Sequence, residues 1–312
     1  MFLRNKANLE DLGPLQTLAA EYRSGKIGRR TFLERLIAVF GSYPLAHHFL
    51  ETSGWAESVV SPLESQARND PAEAGSFRVV STAVTFPGEG ATLHGYLSRP
   101  QQREDGGPFP GVLLIHENRG LNDHIRDVAR RLAAEGFVVL AVDQLSRQGG
   151  TGSFSSPDDA GAAFRALRDD QVVQDLDAAY QYLNSHAVAR ADHVGVMGFC
   201  WGGQRAFLYA AANPGLKATV VFYGSPPPED KLAEIESPVL GIYGENDARV
   251  TSTVAATEAA MRNLGKSYEA KVYPGAEHAF FNETGPRYNE SAAQDAWTRA
   301  LGFLKQNLAD GS

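Results

Sequence analysis

The sequence holds a single cysteine, Cys200. One cysteine makes no intrachain disulfide and builds no cysteine-rich zinc or iron–sulfur site. Positive charge is in deficit: 29 Lys and Arg stand against 37 Asp and Glu, a formal net charge of −8. Nucleic-acid backbones and anionic membrane surfaces recruit clustered Lys and Arg, so neither reads as the main partner. No apolar run reaches the roughly 18 residues that a membrane-spanning helix needs. The eight histidines include no H-x-x-x-H pair with a third ligand nearby, and the adjacent His47-His48 face different sides of a helix, so no metal site is indicated. Gly-rich phosphate loops with G-x-G-x-x-G spacing are also missing. The expectation is a protein with no metal and no cofactor.

What remains is ordinary globular material. Apolar residues make up 43% and charged residues 21% of 312. At about 150 residues per domain that length suggests one or two domains.

Residues 1–75 and 76–312 read differently. Leu9, Leu12, Leu15, Leu18 and Ala19 recur at helical spacing, as do Phe32, Leu36, Val39 and Phe40. Residues 1–75 therefore read as a helical extension that ends in a polar linker around Ser61–Gly75. Within it, Gly28-Arg29-Arg30-Thr31-Phe32-Leu33 has the form of a twin-arginine export signal, followed by the uncharged run Leu36–Ala46. Glu34 and Arg35 interrupt the start of that run, and no A-x-A cleavage site appears before Gly54. The expected location is the cytoplasm, or the periplasm if Arg29-Arg30 acts as an export signal.

From Phe77 onward, strands and helices alternate. Phe77–Phe86 and Ala91–Leu97 read as a hairpin around Pro87-Gly88-Glu89-Gly90. Gly111–Ile115, Phe137–Val142, Val194–Met197, Ala218–Tyr223, Val239–Tyr243 and Glu269–Tyr273 read as further strands. Asn122 is placed to cap a helix that ends at Gly136. Helices are also read at Val172–Leu183, Arg205–Ala212 and the C-terminus, and Ser146–Asp159 reads as a loop over the site. The pattern predicts an α/β fold, a mostly parallel sheet with helices on both faces. Ligands of such sheets bind beyond the carboxyl ends of the strands.

Gly198-Phe199-Cys200-Trp201-Gly202-Gly203 fits G-x-nucleophile-x-G between a strand and a helix. In that strained turn, small residues two before and two after the nucleophile avoid clashes. A thiol at a helix N-terminus is favoured toward thiolate. The partners of such an elbow follow in the order acid, then histidine. Asp247, in Gly244-Glu245-Asn246-Asp247 just past the strand end at Tyr243, is the candidate acid, with Glu245 and Glu277 as rivals; His278 follows the next strand. After Gly111–Ile115 comes His116-Glu117-Asn118-Arg119-Gly120-Leu121. The backbone N–H of Asn118, with that of Trp201, is the candidate oxyanion hole. Glu117 would face the thiol and disfavour its ionisation, or else pair with Arg119 or Arg126. Trp201, Tyr223 and Phe281 are the aromatic candidates for the pocket wall.

These four segments, ending in Glu277-His278-Ala279-Phe280, together resemble the dienelactone hydrolase family (carboxymethylenebutenolidases) over roughly residues 77–308. The resemblance implies an α/β-hydrolase fold, with Cys200 as nucleophile, His278 as general base and acid, and Asp247 as the acid that orients it. It also implies that Glu117 pairs with the resting thiol and swings away when substrate binds. Members of the family bind a substrate carboxylate with arginines, one of them shortly after the catalytic histidine. Here Ala279-Phe280-Phe281-Asn282-Glu283 lacks one until Arg287, and Arg119 is the nearer source of positive charge. The expected activity is hydrolysis of a small-molecule ester or enol-lactone through an acyl-enzyme, by a monomer or dimer. The competing reading is a thiol-based binding or sensing protein on a hydrolase scaffold, which the lack of a resolving cysteine weakens. Thioester hydrolysis, peptidase activity and acyl transfer would use the same groups.

Overall fold

The computed structural model describes residues 77–101, 108–154 and 156–308, together with Leu18, Glu21, Arg35 and Val39. The chain divides into two units, Met1–Glu73 and Ala74–Ser312. In the first, the four described residues are helical, and Arg35 Nη1 donates to Glu21 Oε2 at 3.1 Å. The remaining leucine-spaced positions, the Arg29-Arg30 pair and the 61–75 linker lie outside the described residues.

The second unit is built on one eight-stranded sheet. Its strands are β1 (Val79–Gly88), β2 (Ala91–Pro100), β3 (Phe109–Ile115), β4 (Val138–Asp143), β5 (Ala189–Phe199), β6 (Ala218–Phe222), β7 (Val239–Gly244) and β8 (Tyr268–Tyr273). Their spatial order is β1-β2-β4-β3-β5-β6-β7-β8. The β1–β2 and β2–β4 pairs are antiparallel, and every other pair is parallel. The hairpin turns at Glu89-Gly90, where Gly90 takes the left-handed conformation that a side chain resists.

Both faces of the sheet are covered, which is why the central strands are apolar without alternation. In β3, Val112 and Leu114 point into one core, and Leu113 and Ile115 into the other. All four are fully buried, each contributing about 1.5–3 kcal/mol by leaving water. Helices α1 (Asp123–Ala134) and α6 (Glu290–Leu308) pack on the first face. Helices α3 (Asp169–Asn184) and α4 (Trp201–Ala212) pack on the second. Asn122 caps α1 by accepting from Ile125 N at 3.1 Å.

Two helices of ten residues, beside one-turn helices at Glu229–Leu232 and Ala248–Thr251, go beyond the sequence reading. Residues 146–154, read as part of a long loop, form two short 3-10 turns and lead into α2 (Pro157–Ala166), capped by Ser156. Its Phe164 is buried against Leu145 and Trp201. Helix α5 (Val254–Asn263) shows the core only Val254, Thr257 and Met261, a stripe too sparse to stand out in the sequence. Among the described residues no helix is long and apolar enough to cross a membrane.

Candidate active site

The carboxyl ends of β3, β5, β6, β7 and β8 lie side by side. Each is followed at once by a polar segment: Glu117, Cys200, Tyr223, Asp247 and His278 lie on the five connections. Parallel strands bring these ends to one edge, so residues up to 161 positions apart converge.

Cys200 follows β5 and caps α4 with φ 56° and ψ −116°, a conformation that strains any residue but glycine. The turn closes only because its neighbours are small. A Cβ on Gly198 would sit 2.0 Å from the Gly202 carbonyl oxygen, and one on Gly202 would sit 2.4 Å from that of His116. Tyr223 and Ala279 also carry positive φ, 40° and 64°. Three of the four such non-glycine residues among the described ones therefore cluster here.

His278 Nε2 lies 3.0 Å from Cys200 Sγ, and His278 Nδ1 lies 2.5 Å from Asp247 Oδ2. Asp247 is buried. The rival acids point elsewhere: Glu245 accepts from Gly275 N at 2.8 Å, and Glu277 is exposed. The backbone N–H groups of Trp201 and Asn118 both aim at the Cys200 sulfur and favour its anion.

Burial nonetheless pushes the Cys200 thiol up to about 11, and the Glu117 carboxylate adds to the rise. The helix N-terminus does not produce a resting thiolate, as its position in the sequence suggested. Desolvation and a neighbouring carboxylate outweigh it.

Glu117 is buried and held by neutral donors. Asn282 Nδ2 donates to Glu117 Oε2 at 2.8 Å, and the Tyr223 hydroxyl to Glu117 Oε1 at 3.3 Å. Neither Arg119 nor Arg126 is its partner, since Arg126 pairs with Asp123. Asn282 is the site residue that sequence reasoning passed over. The stretch after His278 has no arginine before Arg287, and its amide at Asn282 holds Glu117.

A cavity of about 410 Å³ opens above the sulfur. Glu117, Asn118, Cys200, His278 and Asn282 line it, and Arg119, Arg165 and Arg287 bring positive charge. All three arginines are exposed. Arg165 comes from α2, beyond the Ser146–Asp159 stretch that reads as a loop over the site, and no described residue of that stretch lines the cavity.

Three aromatic expectations need correction. The Trp201 ring is not in the cavity wall and packs on Phe164 and His116, with centroids 5.1 and 6.0 Å away. Phe281 is a core residue, 2% exposed. It stacks on Phe199 and Trp297 at centroid distances of 5.3 and 5.9 Å, because the left-handed turn at Ala279 sends the next side chains under α6. Tyr223 is also buried. It stands behind the cavity, its ring edge-on to His278 at 5.1 Å. Among the described residues no cluster of His, Cys, Asp and Glu has the arrangement to hold a metal ion.

The fold is that of an α/β-hydrolase, with the strained elbow after β5 and an acid and a histidine beyond later strands. A sequence profile of the dienelactone hydrolase family matches residues 93–308, and the chain belongs to that family. An Escherichia coli (strain K12) protein with the provisional name carboxymethylenebutenolidase is 35% identical over 270 residues, 82% of this chain and 96% of its own. A Bradyrhizobium protein, provisionally named a 2-oxo-3-(5-oxofuran-2-ylidene)propanoate lactonase, is 36% identical over 225 residues, 68% of this chain and 89% of its own. Among solved structures, a provisionally named dienelactone hydrolase from Klebsiella pneumoniae subsp. pneumoniae superposes with a TM-score of 0.68 at 34% identity, covering 73% of this chain and 99% of its own.

Proposed function

We propose that this hydrolase cleaves a small carboxylic ester or lactone through a covalent acyl-enzyme on Cys200. The observation that carries the reading is the line Asp247–His278–Cys200, with contacts of 2.5 and 3.0 Å, ending under two backbone N–H groups.

In this reading the Cys200 thiol passes its proton to His278 Nε2 as Sγ attacks the carbonyl carbon. Asp247 keeps Nδ1 protonated and stabilises the imidazolium. The carbonyl oxygen becomes an oxyanion facing Trp201 N–H and Asn118 N–H. Collapse breaks the C–O bond, and His278 protonates the leaving oxygen to give an alcohol or enol. Water then attacks the thioester while His278 takes its proton. The acid departs and Cys200 leaves as the thiol, reprotonated by His278. Because the resting thiol is neutral, the attack couples to proton transfer and does not use a standing thiolate.

The three arginines around the cavity favour a substrate that carries a carboxylate away from the scissile bond. This agrees with the names of the relatives.

The test is intact-protein mass spectrometry during incubation with activated esters and enol-lactones, wild type beside Cys200→Ala. A mass increase of one acyl group on wild type only, decaying as product forms, is expected. Turnover that persists in Cys200→Ala would overturn the proposal.

A further inference from the structure

We propose that His116 aims the Asn118 N–H at the Cys200 sulfur, by holding the opposite end of the Glu117–Asn118 peptide group. The inference rests on the acyl-enzyme reading, in which Asn118 N–H meets the oxyanion.

The imidazole has both edges engaged. Gln144 N donates to His116 Nε2 at 3.1 Å. An acceptor at Nε2 leaves the proton on Nδ1 in the neutral ring. Nδ1–H therefore donates to the Glu117 carbonyl oxygen, 2.7 Å away. Burial lowers the pKa of this fully enclosed ring and keeps it neutral.

The carbonyl of Glu117 and the N–H of Asn118 belong to one planar trans peptide group and point in opposite directions. Holding the carbonyl at its far side fixes where the N–H points, and that N–H faces Cys200. Donation to the carbonyl also polarises the peptide and strengthens the N–H as a donor. His116 is thus a positioning residue, and it touches no substrate.

The same carbonyl also accepts from Gly120 N at the longer distance of 3.1 Å, and the rest of the loop is held separately. Leu121 N donates to Thr151 Oγ1 at 3.0 Å, and Thr151 Oγ1 donates to Asp143 Oδ1 at 2.8 Å. The ring itself packs between Phe164 and Trp201, with centroids 5.2 and 6.0 Å away. Loss of the Nδ1–H therefore leaves that carbonyl with the longer Gly120 contact alone, which loosens one peptide group and spares the loop's anchor.

The experiment compares His116→Phe with His116→Asn in the full chain. Phenylalanine keeps the ring packing and removes the donor; the asparagine side-chain NH2 replaces Nδ1–H. H116F is expected to lower kcat about 10- to 100-fold on an activated ester, with KM within about threefold of wild type. H116N is expected to restore most of that loss. The pH profile of Cys200 alkylation by iodoacetamide needs no substrate. It should move to higher pH in H116F, because an N–H that favours the thiolate has turned away.

H116F within threefold of wild type in kcat, or a folded H116N as impaired as H116F, overturns the proposal. If H116F does not fold, His116→Leu takes its place with the same expectation. A wild type that turns over no ester would sink the acyl-enzyme reading, whereas the alkylation profile would still judge His116.

Discussion

Asn282 donates to Glu117 across 165 positions of chain, at 2.8 Å, and so holds the carboxylate that faces the Cys200 thiol. A buried hydrogen bond to a charged acceptor contributes more than a neutral one, and its removal leaves that charge short of a partner. Asn282→Leu is expected to destabilise the fold by about 1–3 kcal/mol in urea unfolding. A midpoint equal to wild type would show that Glu117 finds another donor.

Glu117 also acts on the thiol directly. Its negative charge is the second cause of the rise at Cys200, after burial. Glu117→Gln removes the charge and keeps an acceptor for Asn282. The Cys200 pKa should then fall below about 11, and iodoacetamide should react faster at pH 8 than with wild type. An unchanged pH–rate profile would remove Glu117 from the account of the neutral resting thiol.

The same shift has a consequence for stability. The thiol ionises near 11 when folded, against an ordinary value of 9.0. The folded state therefore holds the proton more tightly. Its contribution is fully present below pH 9 and is lost as pH rises through 11, amounting to roughly 2–3 kcal/mol. Buried tyrosines titrate at the alkaline end as well, so the measurement is the difference between wild type and Cys200→Ser. That difference should shift against wild type across the window; a constant difference would contradict the assignment.

The elbow tolerates no added atoms. Gly202→Ala would put a Cβ 2.4 Å from the His116 carbonyl oxygen, a backbone atom that cannot swing aside. The expected cost is about 3 kcal/mol or more, with the Asn118 loop displaced and activity lost. Thermal unfolding beside wild type measures it, and an unchanged Tm would mean that the helix start shifts freely.

Arg165 and Arg287 line the cavity from opposite segments, after Ser156 and after His278. Replacing either with Ala is expected to raise KM for a carboxylate-bearing ester about 3- to 10-fold, with little change for its neutral methyl analogue. Equal effects on both substrates would argue that the arginines shape the cavity without recognising charge.

The sequence alone was enough for most features whose signal is local, the Ser156-Pro157 start of α2 being the exception. Apolar runs of strand length, Asn122 before a helix and Gly136 after it, and glycines flanking Cys200 each report the backbone conformation of their own segment. Chain order then made Asp247 and His278 the natural partners of Cys200. What only the tertiary structure decided depends on distances between segments. Nothing near Asn282 announces that it meets Glu117, since the contact exists only when β3 and β8 end at the same sheet edge. Phe281 looked like a wall of the pocket and became core, because one left-handed residue, Ala279, redirects the chain after His278. The state of the thiol was a contest between a helix N-terminus, burial and a carboxylate. Motifs name the contestants, but only the packed interior sets how far water is excluded, and that exclusion prevailed.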